Sequence, residues 1–218
     1  MSESQSLTID VVSDVCCPWC YLGKRRLDKA LAELGDIDVT LTYRPFQLDP
    51  TIPAEGHDRK AYMAAKFPDA GHLKAVHERL AEFGRADGIH YDFEAIEKAP
   101  NSLDAHRVLH WSLAEGRQVA LKERLMALYW TEGADIGSAA VLASAAADVG
   151  MNSADVARRL ATDEDRAEVQ AEIARYARMG VRGVPTFILD NKYAVAGAQE
   201  VATLIDAIRD VAAEKAGS

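Results

Sequence analysis

Cys17 and Cys20 bracket two residues in the run Ser13-Asp14-Val15-Cys16-Cys17-Pro18-Trp19-Cys20-Tyr21. A C-x-x-C pair at this spacing admits two chemistries, dithiol exchange and metal ligation. A structural zinc site needs two further ligands, and no second C-x-x-C exists. His106 and His110, four apart on a predicted helix, are the pair with the geometry to ligate together, but nothing in the sequence places them near Cys17. Beside Leu103, Leu109 and Leu113 they read as half-buried residues of an amphipathic helix. His72 and His77, five apart, are a weaker pair still, and no metal is expected. A lone Cys17 nucleophile with a histidine base would leave Cys20 without a role. Dithiol exchange is the reading that uses both thiols.

That chemistry needs a thiolate, and a helix start lowers a thiol's pKa through its free N–H groups and the positive end of its dipole. The β-branched run Leu7 to Val12 reads as a strand, and a helix is predicted over about 18–34. Pro18 fits a first helical turn, where its missing N–H costs nothing. Leu27, Leu31 and Leu34 recur at helical spacing, and Cys20 lies seven residues before Leu27, on the core-facing side. Cys17 is left nearer the rim. Attack by a Cys17 thiolate on a substrate disulfide, or by a substrate thiolate on a Cys17–Cys20 disulfide, passes through a mixed disulfide that Cys20 resolves. Cys16 reads as a small buried hydrophobe turned away from Cys17. Lys24, Arg25 and Arg26 read as a solvated helix face rather than a source of potential at the thiols.

A second strand is expected over 39–46. From about Asp58 to Met179 no convincing strand is legible, and helices are predicted over 58–67, 70–85, 102–116, 118–131, 137–148, 152–160 and 163–179, with cap signals at Ser102, Asp135 and Ser153. Strands return at Thr186 to Leu189 and Lys192 to Val195, before a last helix over 199–213. Residues 7–57 and 180–214 then form one discontinuous domain, and 58–179 a helical insertion whose last helix packs on it. Trp111, Tyr129 and Trp130, with Tyr62, Met63 and Phe67, read as interhelical core, with cleft lining or a dimer face as alternatives. In the run Gly180-Val181-Arg182-Gly183-Val184-Pro185-Thr186-Phe187, a proline before a strand reads by itself as an ordinary strand-start residue.

Bulk properties narrow the class. At 218 residues the chain can bury a full core, and 49% apolar residues exclude a disordered chain. A net charge of -9 argues against a nucleic-acid partner. No segment approaches the roughly 18 apolar residues of a membrane span. The polar residues Met1 to Ser6 and the short run after them lack the marks of a signal peptide, so a cytoplasmic location is expected.

Cys17-Pro18-Trp19-Cys20 at a strand–helix junction, paired with Gly183-Val184-Pro185-Thr186 before a late strand, resembles the thioredoxin fold. The helical insertion narrows the resemblance to the DsbA-like superfamily, an α/β fold with a long all-helical insertion between its βαβ and ββα halves. The strings from Ser13 to Gly23, Tyr43-Arg44-Pro45-Phe46-Gln47-Leu48, Asn101-Ser102-Leu103-Asp104-Ala105-His106-Arg107 and Val195-Ala196-Gly197-Ala198-Gln199 look like its FrnE-type cytoplasmic branch. The resemblance implies Cys17 as nucleophile, Cys20 as resolving cysteine and Pro185 as a cis-proline facing them. The function implied is a thiol–disulfide oxidoreductase or isomerase acting on proteins, with no tightly bound cofactor. The related 2-hydroxychromene-2-carboxylate isomerases and kappa glutathione transferases suggest an alternative, a glutathione-dependent isomerase or transferase of a small, even aromatic, molecule. Val184 would then hold the cysteinyl part of glutathione, and the helix start near Gly197, Ala198 and Gln199 its carboxylate. A redox-sensing or chaperone-like module is the third reading, and a homodimer is compatible with each.

Overall fold

The computed structural model describes residues 5–216, so most of the polar segment 1–6 lies outside it. β1 (Gln5–Ser13) leads into α1 (Pro18–Glu33), which returns the chain to β2 (Ile37–Pro45), parallel to β1 from Gln5↔Ile37 to Ser13↔Pro45. Seven helices follow: α2 (Arg59–Lys66), α3 (Ala70–Ala86), α4 (Leu103–Ala114), α5 (Gln118–Glu132), α6 (Ala139–Asp148), α7 (Ser153–Leu160) and α8 (Arg166–Arg178). Two short strands, β3 (His57–Asp58) and β4 (Lys98–Ala99), flank α2 and α3. β5 (Thr186–Leu189) then pairs antiparallel with β1, β6 (Tyr193–Ala196) pairs with β5, and α9 (Val201–Ala216) closes the fold. The sheet order is β2-β1-β5-β6, a thioredoxin-like core with α2–α8 inserted between its halves.

Strand alternation sorts β1 between two layers. Leu7, Ile9 and Val11 pack with Leu27, Ala30 and Leu34 of α1 and with Leu204 and Ile208 of α9. Val12 faces the other way, against Ile188 and Tyr176 of α8. Arg44 of β2 ties α8 down through Glu172 at 3.2 Å. Val15, Cys17, Cys20, Tyr21 and Leu22 belong instead to the core of the helical insertion, with Leu121, Leu125 and Trp130 of α5. The cysteines therefore sit on the seam between sheet layer and helices.

Two features differ from the sequence reading. β3 and β4 form a two-stranded ribbon within a stretch expected to be all helical. Two residues are too few to show alternation, and the pairing depends on Gly56, with φ +75 and no room for a Cβ, which would stand 2.9 Å from the Ala99 carbonyl. The caps also shift. Asn152, not Ser153, caps α7 by accepting from the N–H groups of Ala154 and Asp155. Ser102 precedes α4 without a side-chain cap bond, and Asn101 accepts the Leu103 N–H instead.

Candidate active site

The turn between β1 and α1 is built around a buried carboxylate. Asp14 accepts the N–H groups of Cys16 at 3.3 Å and Leu48 at 2.8 Å. The Nε2 of His106 stands 3.3 Å from Asp14 and 2.9 Å from the Phe46 carbonyl. Burial alone would raise the Asp14 carboxyl, but His106, the Leu48 N–H and Ser102 outweigh it and hold Asp14 below its ordinary value. Two aromatic donors pin the outer side of the turn. Trp130 Nε1–H donates to the Val15 carbonyl at 3.0 Å, and the Tyr91 hydroxyl donates to the Pro18 carbonyl at 2.7 Å.

This turn delivers Cys17 to the N-cap of α1, with Pro18 in the first helical turn. No side-chain bond caps the helix there, and the Cys17 thiol instead donates to the Val184 carbonyl at 3.7 Å. The Val184–Pro185 peptide is cis. The Pro185 ring lies against α1 at Gly23, where an added Cβ would stand 2.8 Å from Pro185 Cγ. Cys17, Cys20, Val184 and Pro185 thus converge from two segments more than 150 residues apart in sequence. Burial, then hydrogen bonding and charge from Cys17, push the Cys20 thiol well above its ordinary value.

Exposure does not separate the two thiols as a rim and a core residue, since Cys17 is 3% exposed and Cys20 2%. A cavity of about 380 Å³ does separate them, for Cys17 lines it and Cys20 does not. Cys16 is half-buried and packs against the insertion core, in keeping with a small hydrophobe, but it lines the same cavity as Cys17 rather than turning away from it. The strand ends at Ser13 and a turn follows, so alternation no longer sets where the Cys16 side chain points. Burial, then the Asp14 carboxylate, push the Cys16 thiol well above its ordinary value. Tyr62, Met63, Phe67, Tyr129 and Trp130 also line the cavity. Trp111 does not, and its Nε1–H donates to Asp165 at 2.9 Å.

Gly197, Ala198 and Gln199 are not brought to this cavity. They form the turn between β6 and α9, where the Gly197 N–H donates to the Pro185 carbonyl at 2.8 Å and the Gln199 N–H to the Gly197 carbonyl at 2.9 Å. Arg26 donates to the Ala198 carbonyl at 2.9 Å. Lys24 and Arg26 are buried rather than solvated, because α1 is covered by the sheet on one side and by helices on the other. Lys24 pairs with Asp28 and Glu123, and Arg26 with Asp87 and Glu200. These pairs staple α1 to α3, α5 and the start of α9.

With the geometry in place, relationships to known proteins decide the family. The family described as DSBA-like thioredoxin domain matches residues 8–209. The chain belongs to that family. A crystal structure of a probable DsbA oxidoreductase, SCO1869, from Streptomyces coelicolor is similar, with 28% identity over 94% of this chain and 89% of that one and a TM-score of 0.87. The uncharacterized protein YwbO of Bacillus subtilis is 24% identical over 84% of this chain and 86% of its own length. A structure of 2-hydroxychromene-2-carboxylate isomerase shares the fold, with 18% identity, 96% and 98% coverage and a TM-score of 0.73.

Within this DSBA-like domain, four residues of the site escaped sequence reasoning. His106 reads from sequence as a half-buried helix residue or a metal ligand, whereas it serves the Asp14 carboxylate. Among the described residues no cluster of three or more metal-ligating side chains occurs, and no helix is long and apolar enough to cross a membrane. Asp14 was visible beside the cysteines, and a carboxylate next to a strand end is the signal that could have marked it as a turn organiser. Arg59, which lines the cavity, and Lys122, buried among the cysteines' neighbours, carry no local signal.

Proposed function

We propose that this DSBA-like protein is a cytoplasmic, FrnE-type thiol–disulfide oxidoreductase, active on protein disulfides and competent in isomerisation. The observation that carries the reading is Cys17 at the N-cap of α1, lining a cavity with its thiol 3.7 Å from the Val184 carbonyl, while Cys20 sits one turn behind and outside the cavity. A Cys17 thiolate attacks one sulfur of the substrate disulfide, the substrate S–S bond breaks, and a thiolate leaves. Cys20 then attacks Cys17 Sγ, releasing the second substrate thiol and leaving a Cys17–Cys20 disulfide. Gly183 and Val184 line the cavity beside Cys17 and their backbone positions the arriving segment, with the buried Pro185 ring behind them against Gly23. The segments whose strings resemble the FrnE type meet beside the site: Gln47 donates to Asn101 at 2.9 Å, the Leu48 N–H binds Asp14, and His106 reaches Phe46.

Insulin reduction with dithiothreitol tests the reading. Cys17→Ser should abolish catalysis and Cys20→Ser should strongly reduce it. Full activity in both variants removes the dithiol mechanism. A second reading, with glutathione as co-substrate and a small molecule as client, is favoured by the size of the cavity, which falls in the range of about 300–1,000 Å³ usual for small-molecule sites. In that case Cys20→Ser would retain turnover with glutathione present.

A further inference from the structure

Arg59 opens α2 and is only 8% exposed, yet no ion pair forms at it among the described residues. Its Nη1 donates to the Tyr129 hydroxyl at 3.2 Å, and its guanidinium lies over the rings of Tyr129 and Trp130, at 5.9 Å and 5.6 Å from their centroids. A neutral hydroxyl and two ring faces orient the guanidinium without neutralising it. Elsewhere, buried Arg26 and Arg107 both meet carboxylates. A charge taken out of water without a counter-charge is costly unless something else completes it.

Arg59 lines the same cavity as Cys17. Most of the remaining wall is apolar or aromatic, including Ile52, Met63, Phe67, Leu73 and Phe93. Its acidic members, Asp14 and Asp49, are already engaged: Asp14 by the turn N–H groups and His106, Asp49 by Thr51, the Tyr62 hydroxyl and Lys66. His77 stacks flat on Phe93 at 4.1 Å, and burial, then the charge of Arg59, lower its pKa, so it presents a neutral ring. The pocket therefore combines an apolar body, one oriented cation lacking a carboxylate, and a thiol.

We propose that this cavity is a binding site for a disulfide whose apolar or aromatic body carries a carboxylate, with Arg59 pairing the carboxylate while Cys17 meets the sulfur. The assignment rests on the dithiol reading and names a substrate class for it. A Cys17 thiolate attacks the sulfur attached to the seated body, the substrate S–S bond breaks, and one thiolate departs with the bonding pair. Cys20 gives up its proton, its sulfur displaces the second thiolate from Cys17, and the dithiol is oxidised by two electrons as the disulfide is reduced.

Two aromatic disulfides separate the carboxylate from everything else: dithiobis(nitrobenzoate), which carries carboxylates, and dithiodipyridine, which carries none. Stopped-flow rates of the reduced protein with each give a carboxylate preference. Arg59→Met should lower that preference, read as the ratio of the two rates, at least tenfold, and Arg59→Lys should restore part of it. Equal slowing with both reagents, or no change in the ratio, overturns the proposal. Should Arg59→Met fail to fold, the unaltered protein still decides. Naphthoate should protect Cys17 from dithiodipyridine at a concentration at least tenfold below that of naphthamide, and equal protection overturns the proposal. The dithiol reading fails separately, if dithiodipyridine modifies Cys17 without a Cys17–Cys20 disulfide following.

Discussion

Replacing Lys122 by methionine should make the protein more stable at neutral pH and slower to complete exchange. Lys122 is 0% exposed, and its Nζ has no hydrogen-bond partner among the described residues, standing 5.6 Å from the centre of the Tyr43 ring. Burial pushes its pKa down from 10.5 to about 8, against the opposing pull of Cys20, Asp14, Cys16 and Cys17. The folded value lies below the unfolded one, so between those values the unfolded chain binds more protons and stability rises with pH. Below about pH 8 the full cost of the buried charge applies, and at about 1.4 kcal/mol per pH unit it comes to about 3 kcal/mol. Methionine has a similar length and no charge, so Lys122→Met should gain about 3 kcal/mol at neutral pH and little above about pH 10.5. Urea unfolding of both proteins at the two pH values measures the difference. A loss of stability, or a gain equal at both, refutes the argument. The same charge lowers the thiol pKa values of Cys16 and Cys20 against their burial, so without it the mixed disulfide on Cys17 should persist longer.

Gly23→Ala places a Cβ 2.8 Å from Pro185 Cγ and 3.3 Å from Phe187 Cζ. Overpacking of about 1–3 kcal/mol should outweigh the helix propensity gained, about 1 kcal/mol, lowering both the melting temperature and the rate of insulin reduction. A more stable and fully active variant would contradict the role of that contact. Arg107→Met should cost about 3 kcal/mol in urea unfolding, because the buried guanidinium binds the carbonyls of Arg159, Thr162 and Glu164, which lose their partner. Since neither Arg107 nor that loop lines the cavity, the Cys17 rate with dithiodipyridine should be unchanged.

The features legible in the sequence are those carried by local geometry. Helical spacing marked Cys20 and Leu27 as buried residues of α1, though they pack into different cores, and the strand–helix punctuation placed Cys17 at the helix start. The alternation of Leu7, Ile9 and Val11 is a period-2 signal that survives folding intact. What was not legible depends on which elements meet. Lys24 and Arg26 look solvent-facing on a helix read alone, and only the helices packed over α1 bury them. Arg59 and Lys122 are ordinary helix residues until Tyr129, Trp130 and the cysteine turn close around them. Cys16 was misplaced for a related reason: strand periodicity was extended past Ser13 into a turn that Asp14 organises from outside the strand.

The division of labour between the thiols is tested most directly by trapping. Reduced Cys20→Ser protein, mixed with a disulfide substrate and mapped by mass spectrometry of its peptides, should carry a stable adduct on Cys17, while the unaltered protein yields free thiols and a Cys17–Cys20 disulfide. Because Cys16 lines the same cavity, an adduct on Cys16 with Cys17 unmodified would contradict the account.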